Sequence, residues 1–189
     1  MGERGYIALF SGVSIALTVW LGWAYSEAPY TELWPDQDWA RTLVLFVMPF
    51  ACILIVAGLT SANPYSLTLT SAMFDPNRAG IVALTRHPAI WGLGIWSGAH
   101  VLANGDLASV ALFGLLTLLC IAGPFSLGSR RRRAMGDEAW QELGEKTSKT
   151  SPTNALTQIG PWRLIGGVCL YGALLYLHEM VIGISPLGG

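Results

Sequence analysis

Five apolar runs, separated by polar segments, dominate the pattern of the chain. They cover Tyr6–Tyr25, Thr42–Leu59, Pro88–Ala103, Leu107–Leu127 and Leu164–Ile184. An α-helix rises 1.5 Å per residue, so an apolar run of about 20 residues crosses the hydrocarbon core of a bilayer. The pattern therefore predicts an all-α, polytopic helical membrane protein with about five transmembrane helices.

The longest polar segment is predicted to be a loop at residues 128–160. Within it, the sequence GDEAWQELGE (Gly136–Glu145) has the mixed polar and apolar pattern of a short surface helix. We expect residues 1–189 to form one helical membrane domain that carries this loop on its cytoplasmic side.

The composition supports a membrane protein and gives no support for nucleic-acid binding. The chain is 52% hydrophobic and 12% charged, with a mean hydropathy of +0.48, whereas about a quarter of the residues in soluble domains are charged. The formal net charge of -1 gives no basis for nucleic-acid binding. The expected partner is the lipid bilayer, and the sequence identifies no protein partner.

Basic residues are distributed unevenly around the runs. With the N-terminus in the cytoplasm, only Arg41 lies outside, and the positive-inside rule favours that topology. The C-terminal sequence SPLGG then faces outward, as does the acidic segment after the first run. The basic residues placed inside are Arg4, Arg78, Arg86, Arg130, Arg131, Arg132, Arg133, Lys146, Lys149 and Arg163.

The three histidines of the chain are at two different depths. His87 precedes Pro88 at the cytoplasmic start of the third run, whereas His100 lies 13 residues further on, about 20 Å along the same helix. His178 lies at a similar depth to His100 because the third and fifth runs point the same way. Two imidazoles at one level on facing helices can hold a haem iron. Alternatively, each histidine bonds a neighbouring helix or lies in the membrane interface.

Arg86 and His87 mark a polar mouth at the cytoplasmic end of the third run. Arg86 has two possible roles. It anchors the helix to lipid phosphates, in agreement with the positive-inside rule, or it lines a pocket for a cofactor or another anionic group. The sequence leaves both readings open.

Several sequence blocks resemble the NnrU family of membrane proteins. They are GIVALTRHP (Gly80–Pro88), WSGAHVLANGD (Trp96–Asp106), GDEAW (Gly136–Trp140) and HEMVIGISP (His178–Pro186). The resemblance implies a multi-pass protein of the bacterial inner membrane with a role linked to nitrite and nitric oxide reduction in denitrification.

The same blocks resemble the zeta-carotene isomerases, which share the NnrU core. That resemblance implies haem b as a cofactor, a hydrophobic small molecule as substrate, and His100 as one haem ligand. A cysteine proposed as an exchangeable ligand in those enzymes falls on Ser97, which is a poor iron ligand. His178 is the candidate second ligand because it lies at a similar depth to His100.

A different enzyme class provides an alternative. Arg86, His87, Pro88 and Gly92 also resemble the isoprenylcysteine carboxyl methyltransferases, which implies an S-adenosylmethionine pocket. A later basic and acidic segment would complete that pocket with Arg133, Asp137 and Glu138. A non-enzymatic accessory membrane protein is a third possibility.

The charge distribution yields a test of topology. Single cysteines at Glu32 and Glu142, in a chain whose native cysteines are replaced by alanine, should react differently with a membrane-impermeant maleimide on intact bacterial cells. Glu32→Cys should be labelled at once, and Glu142→Cys only after permeabilisation. The opposite labelling would contradict the predicted orientation.

Overall fold

A computed structural model describes residues 2–187 and is helical almost throughout. The bounds of the eight α-helices in this range are α1 Glu3–Ser26, α2 Asp38–Thr60, α3 Ile81–Leu84, α4 Pro88–Ala103, α5 Leu107–Met135, α6 Asp137–Ser148, α7 Pro152–Ile159 and α8 Pro161–Ile182. A 3-10 turn covers Pro76–Arg78. The predicted all-α membrane fold is confirmed; Met1 and the last two glycines of SPLGG lie outside the described residues.

Four of these helices, α1, α2, α5 and α8, are long and apolar enough to cross a membrane. The remaining predicted span, α4, has the expected bounds but only 16 residues, or about 24 Å of helix. That is shorter than a hydrocarbon core of about 30 Å, so a fifth span stays a prediction. Proline at the first position of α4 and of α8 suits a helix start because no backbone N–H is needed there.

Helix α2 lies at the centre of the bundle, packed against α4 on one side and α8 on the other. Glycines permit the close approach. A Cβ added to Gly92 of α4 would lie 2.7 Å from the carbonyl oxygen of Ala51, and one added to Gly167 of α8 would lie 2.6 Å from the Cα of Ile53. Backbone therefore packs directly on backbone, as in other membrane helix pairs.

Hydrogen bonds show which chain segments share each end of the bundle. At one end, the segment after α1 meets the turn between α4 and α5, where Leu33 N–H donates to Gly105 O at 2.7 Å. At the other end, the Nε of Arg163 donates to the Oγ1 of Thr60 at 3.1 Å. The segments found together at each end are those that the predicted topology puts on the same side of the membrane. The assignment of one end to the cytoplasm stays a prediction.

Helix α1 packs against the other helices less than α2, α5 and α8 do. None of its apolar window is buried inside the protein, and the Tyr25 hydroxyl holds its end to the Ser109 hydroxyl at 2.7 Å. Exposed apolar side chains such as Phe10 and Val19 suit a lipid surface, where they need no protein partner.

The segment at 128–160, predicted as a loop with one short surface helix, is mostly helical, and α6 covers the helix expected at Gly136–Glu145. Helix α5 continues through the four arginines to Met135, and α6 and α7 fill most of the remainder. Arginine is a good helix former, so a polar composition did not end α5 here. Gly136 ends it instead, with a φ of +89° that favours glycine.

The tight contact between α2 and α4 predicts that Gly92→Ala destabilises the protein by about 1–3 kcal/mol, a typical overpacking cost. The added methyl group would collide with α2. Thermal unfolding in detergent measures the effect.

Gly114→Ala is the matched control, because nothing lies within 4 Å of the Cβ position at Gly114 in α5. Equal melting temperatures for the Gly92 and Gly114 variants would contradict direct backbone packing.

Candidate functional site

A cavity of about 260 Å³ lies between the ends of α4 and α8, over the first turns of α2. Its walls come from the loop after α1, the start of α2, the end of α4 with the turn that follows it, and the segment after α8. The polar and charged lining residues are Tyr30, Asp36, Arg41, His100, Asn104, Asp106, His178 and Ser185.

His100 is held in a fixed orientation on the last turn of α4. Its Nδ1 is 2.7 Å from the carbonyl oxygen of Trp96, and its ring lies against Trp96 and Phe113, with centroids 5.4 and 5.0 Å away. A carbonyl only accepts, so Nδ1 carries the proton and Nε2 is left as the free lone pair. Histidine ligands to metals commonly have this arrangement.

His178 is oriented by the chain that follows α8. Gly183 ends that helix with a φ of +82°, a left-handed conformation that suits glycine. The chain turns back, and the carbonyl oxygen of Ile184 comes to 2.8 Å from the His178 Nδ1. The His178 Nδ1 therefore donates to that carbonyl, and its Nε2 has no hydrogen bond to the described residues.

The structure thus brings His100 and His178 to one cavity. Helices α4 and α8 both run antiparallel to α2, which puts the two histidines at the same end. In the described part of the chain, no group of three or more His, Cys, Asp and Glu side chains could hold a metal ion. Two imidazoles are the donor set of a two-ligand haem rather than of a closed zinc site.

Arg41 and Asp36 form an ion pair at the rim of this cavity. The Arg41 Nη2 is 2.6 Å from the Asp36 Oδ2. Sequence reasoning did not place either residue in the site. The available signal was that Arg41 is the one basic residue on the side predicted to face outward.

Ser97 lies away from the cavity lining, buried between α4 and α5. Its hydroxyl accepts a hydrogen bond from the Thr117 hydroxyl at 2.9 Å and donates one to the Gly94 carbonyl at 3.3 Å. Ser97 therefore helps to join two helices.

At the opposite end of the bundle, Arg86 lies between two aromatic rings. Its guanidinium carbon is 5.0 Å from the centroid of Tyr65 and 5.5 Å from that of Trp140 on α6, distances typical of cation–π contacts. A shallow cavity of about 360 Å³ borders Arg86, Trp140 and Gly144. Arg86 thereby joins α6 to the chain before α4.

His87, the neighbour of Arg86, is buried and its Nδ1 has no hydrogen-bond partner in the described residues. Burial lowers the pKa of His87, and the adjacent Arg86 cation lowers it further. Both effects favour the neutral ring. Asn63 fixes this corner by donating to the Arg86 carbonyl oxygen at 3.0 Å.

The residues of the alternative methyltransferase pocket have different surroundings. Pro88 and Gly92 pack against α2, and Arg133 and Glu138 are exposed and do not line the cavity beside Arg86. Asp137 pairs with Arg132 at 2.6 Å.

Comparisons with known proteins relate the chain to a family. The model of the NnrU protein family matches residues 1–186. The chain is also 28% identical to the 15-cis-zeta-carotene isomerase, chloroplastic, of Zea mays over 162 residues, which cover 78% of this chain and 41% of that enzyme's length. No solved structure matches the chain. Because the family model covers nearly every residue, the chain belongs to the NnrU protein family.

Proposed function

We propose that this protein binds haem b through His100 and His178 in the bacterial inner membrane and carries out isomerase-like redox chemistry on a hydrophobic substrate. Membership in the NnrU family and similarity to the maize isomerase support an isomerase-like or NnrU function. By analogy with that relative's name, the substrate class is a carotenoid or another long polyene dissolved in the bilayer.

One observation carries the proposal. Two imidazoles line a single cavity, and each has its Nδ1 engaged by a backbone carbonyl oxygen. Backbone contacts therefore orient both rings without using Nε2. If the two histidines only filled space, there would be no reason for Nε2 to be the unused nitrogen in both.

The size of the cavity also bears on the proposal. Small-molecule sites usually enclose about 300–1,000 Å³, and this cavity encloses about 260 Å³. A tetrapyrrole held by both histidines must therefore extend beyond the enclosed space. Apolar lining residues such as Val44, Leu45 and Ala103 provide a surface on which such a ring can lie.

The chain's own residues have separate tasks in this proposal. When bound, haem b supplies a one-electron redox centre. His100 and His178 hold and orient it, while Trp96 and Phe113 restrict the His100 ring. The role in nitric oxide chemistry that the family resemblance implies would require a free coordination position at the iron, and His178 would occupy that position while bound.

His100→Ala and His178→Ala should each reduce haem content and change the Soret band of the detergent-purified protein, because each removes one nitrogen donor. His100→Ala should have the larger effect, since its ring is the more tightly oriented. Visible spectra before and after dithionite reduction, with hemin titrations, measure both effects.

His87→Gln is the matched control, because it alters the third histidine at the opposite end of the bundle and should leave the spectrum unchanged. Wild-type spectra in both histidine variants would refute haem ligation. A protein that stays colourless with added hemin but binds S-adenosylmethionine in an Arg86-dependent way would favour the methyltransferase alternative.

A further inference from the structure

Arg41 is the only arginine or lysine among the residues that line the histidine cavity. Its guanidinium contacts Asp36 through a single nitrogen, Nη2. A guanidinium carries five N–H donors in a planar fork that fits a carboxylate. Most of the donors of Arg41 therefore remain available to another acceptor.

The Arg41–Asp36 pair is also exposed, with 38% of the arginine side chain and 63% of the aspartate side chain accessible. Ion pairs in such positions contribute little to stability because water screens them. A second carboxylate that enters the cavity can thus replace Asp36 at a small cost.

The other carboxylate of the lining is occupied differently. Asp106 caps the start of α5, where its Oδ1 accepts from the backbone N–H of Ser109 at 3.0 Å. Its charge is directed to the helix N-terminus, where a negative charge is favourable. Asp36 is therefore the direct rival of an anionic ligand for Arg41.

We infer that Arg41 binds a propionate of haem b and that Asp36 competes with that propionate. This inference rests on the proposed function. Haem b needs nitrogen donors at its iron and a cation or water at its two carboxylates. The cavity provides two imidazoles and, at its rim, one guanidinium, so Arg41 would hold the carboxylate edge of the haem.

The test compares hemin with its dimethyl ester, which has the same iron and ring but lacks the two negative charges. Each is titrated into the wild type, Arg41→Gln, Asp36→Asn and the control Arg78→Gln, an exposed arginine remote from the cavity. Arg41→Gln should weaken hemin binding roughly 10-fold, the scale of one charge-assisted contact, and leave the dimethyl ester unaffected. Asp36→Asn should tighten hemin binding alone.

Two results would overturn the inference about Arg41 while leaving haem binding intact. One is equal hemin affinity in the wild type and Arg41→Gln. The other is an equal loss of hemin and dimethyl ester, which would mean that Arg41 only supports the fold. The proposed function would instead be overturned if the wild type bound neither compound. It would also be overturned if His100→Ala bound both compounds as tightly as the wild type does.

Discussion

Direct backbone contact between α2 and its two neighbours is the constraint on which the remaining structure depends. Gly58, Gly92 and Gly167 remove the side chains that would separate these helices, and the contacts fall at residues 51–58 of α2 and their partners. In a bilayer, apolar side chains gain little by leaving lipid, so close packing supplies much of the association. The cavity lies beyond these contacts, where Arg41, Val44 and Leu45 stand between α4 and α8.

Much of the fold follows from apolar periodicity, and its departures have physical causes. The bounds of α4 agree with the sequence because Pro88 starts the helix and the Asn104-Gly105 turn ends it. The extension of α5 through the arginines was missed because composition marks where a helix leaves the membrane, whereas propensity and caps decide where it ends. Helix α7 is short and capped by Ser151, a local signal that is hard to recognise in a segment rich in both serine and threonine.

The candidate site was only partly predictable for a related reason. Depth along parallel helices depends on residue counts alone, and it put His100 and His178 at one level. Which loops complete the cavity depends on tertiary contacts, such as the hydrogen bond from the Leu33 N–H to the Gly105 carbonyl oxygen. The aromatic contacts of Arg86 likewise join Tyr65 and Trp140, which are far apart in sequence. Single-sequence patterns do not encode such pairings.

The distribution of the cavity walls along the chain has a consequence for biogenesis. Arg41 lies in α2 and His178 in α8, so the cavity is assembled from segments that are synthesised far apart in time. A nascent chain that ends before α8 has the His100 side of the cavity without its partner. The cavity is therefore complete only after α8 has been inserted and has packed against α2.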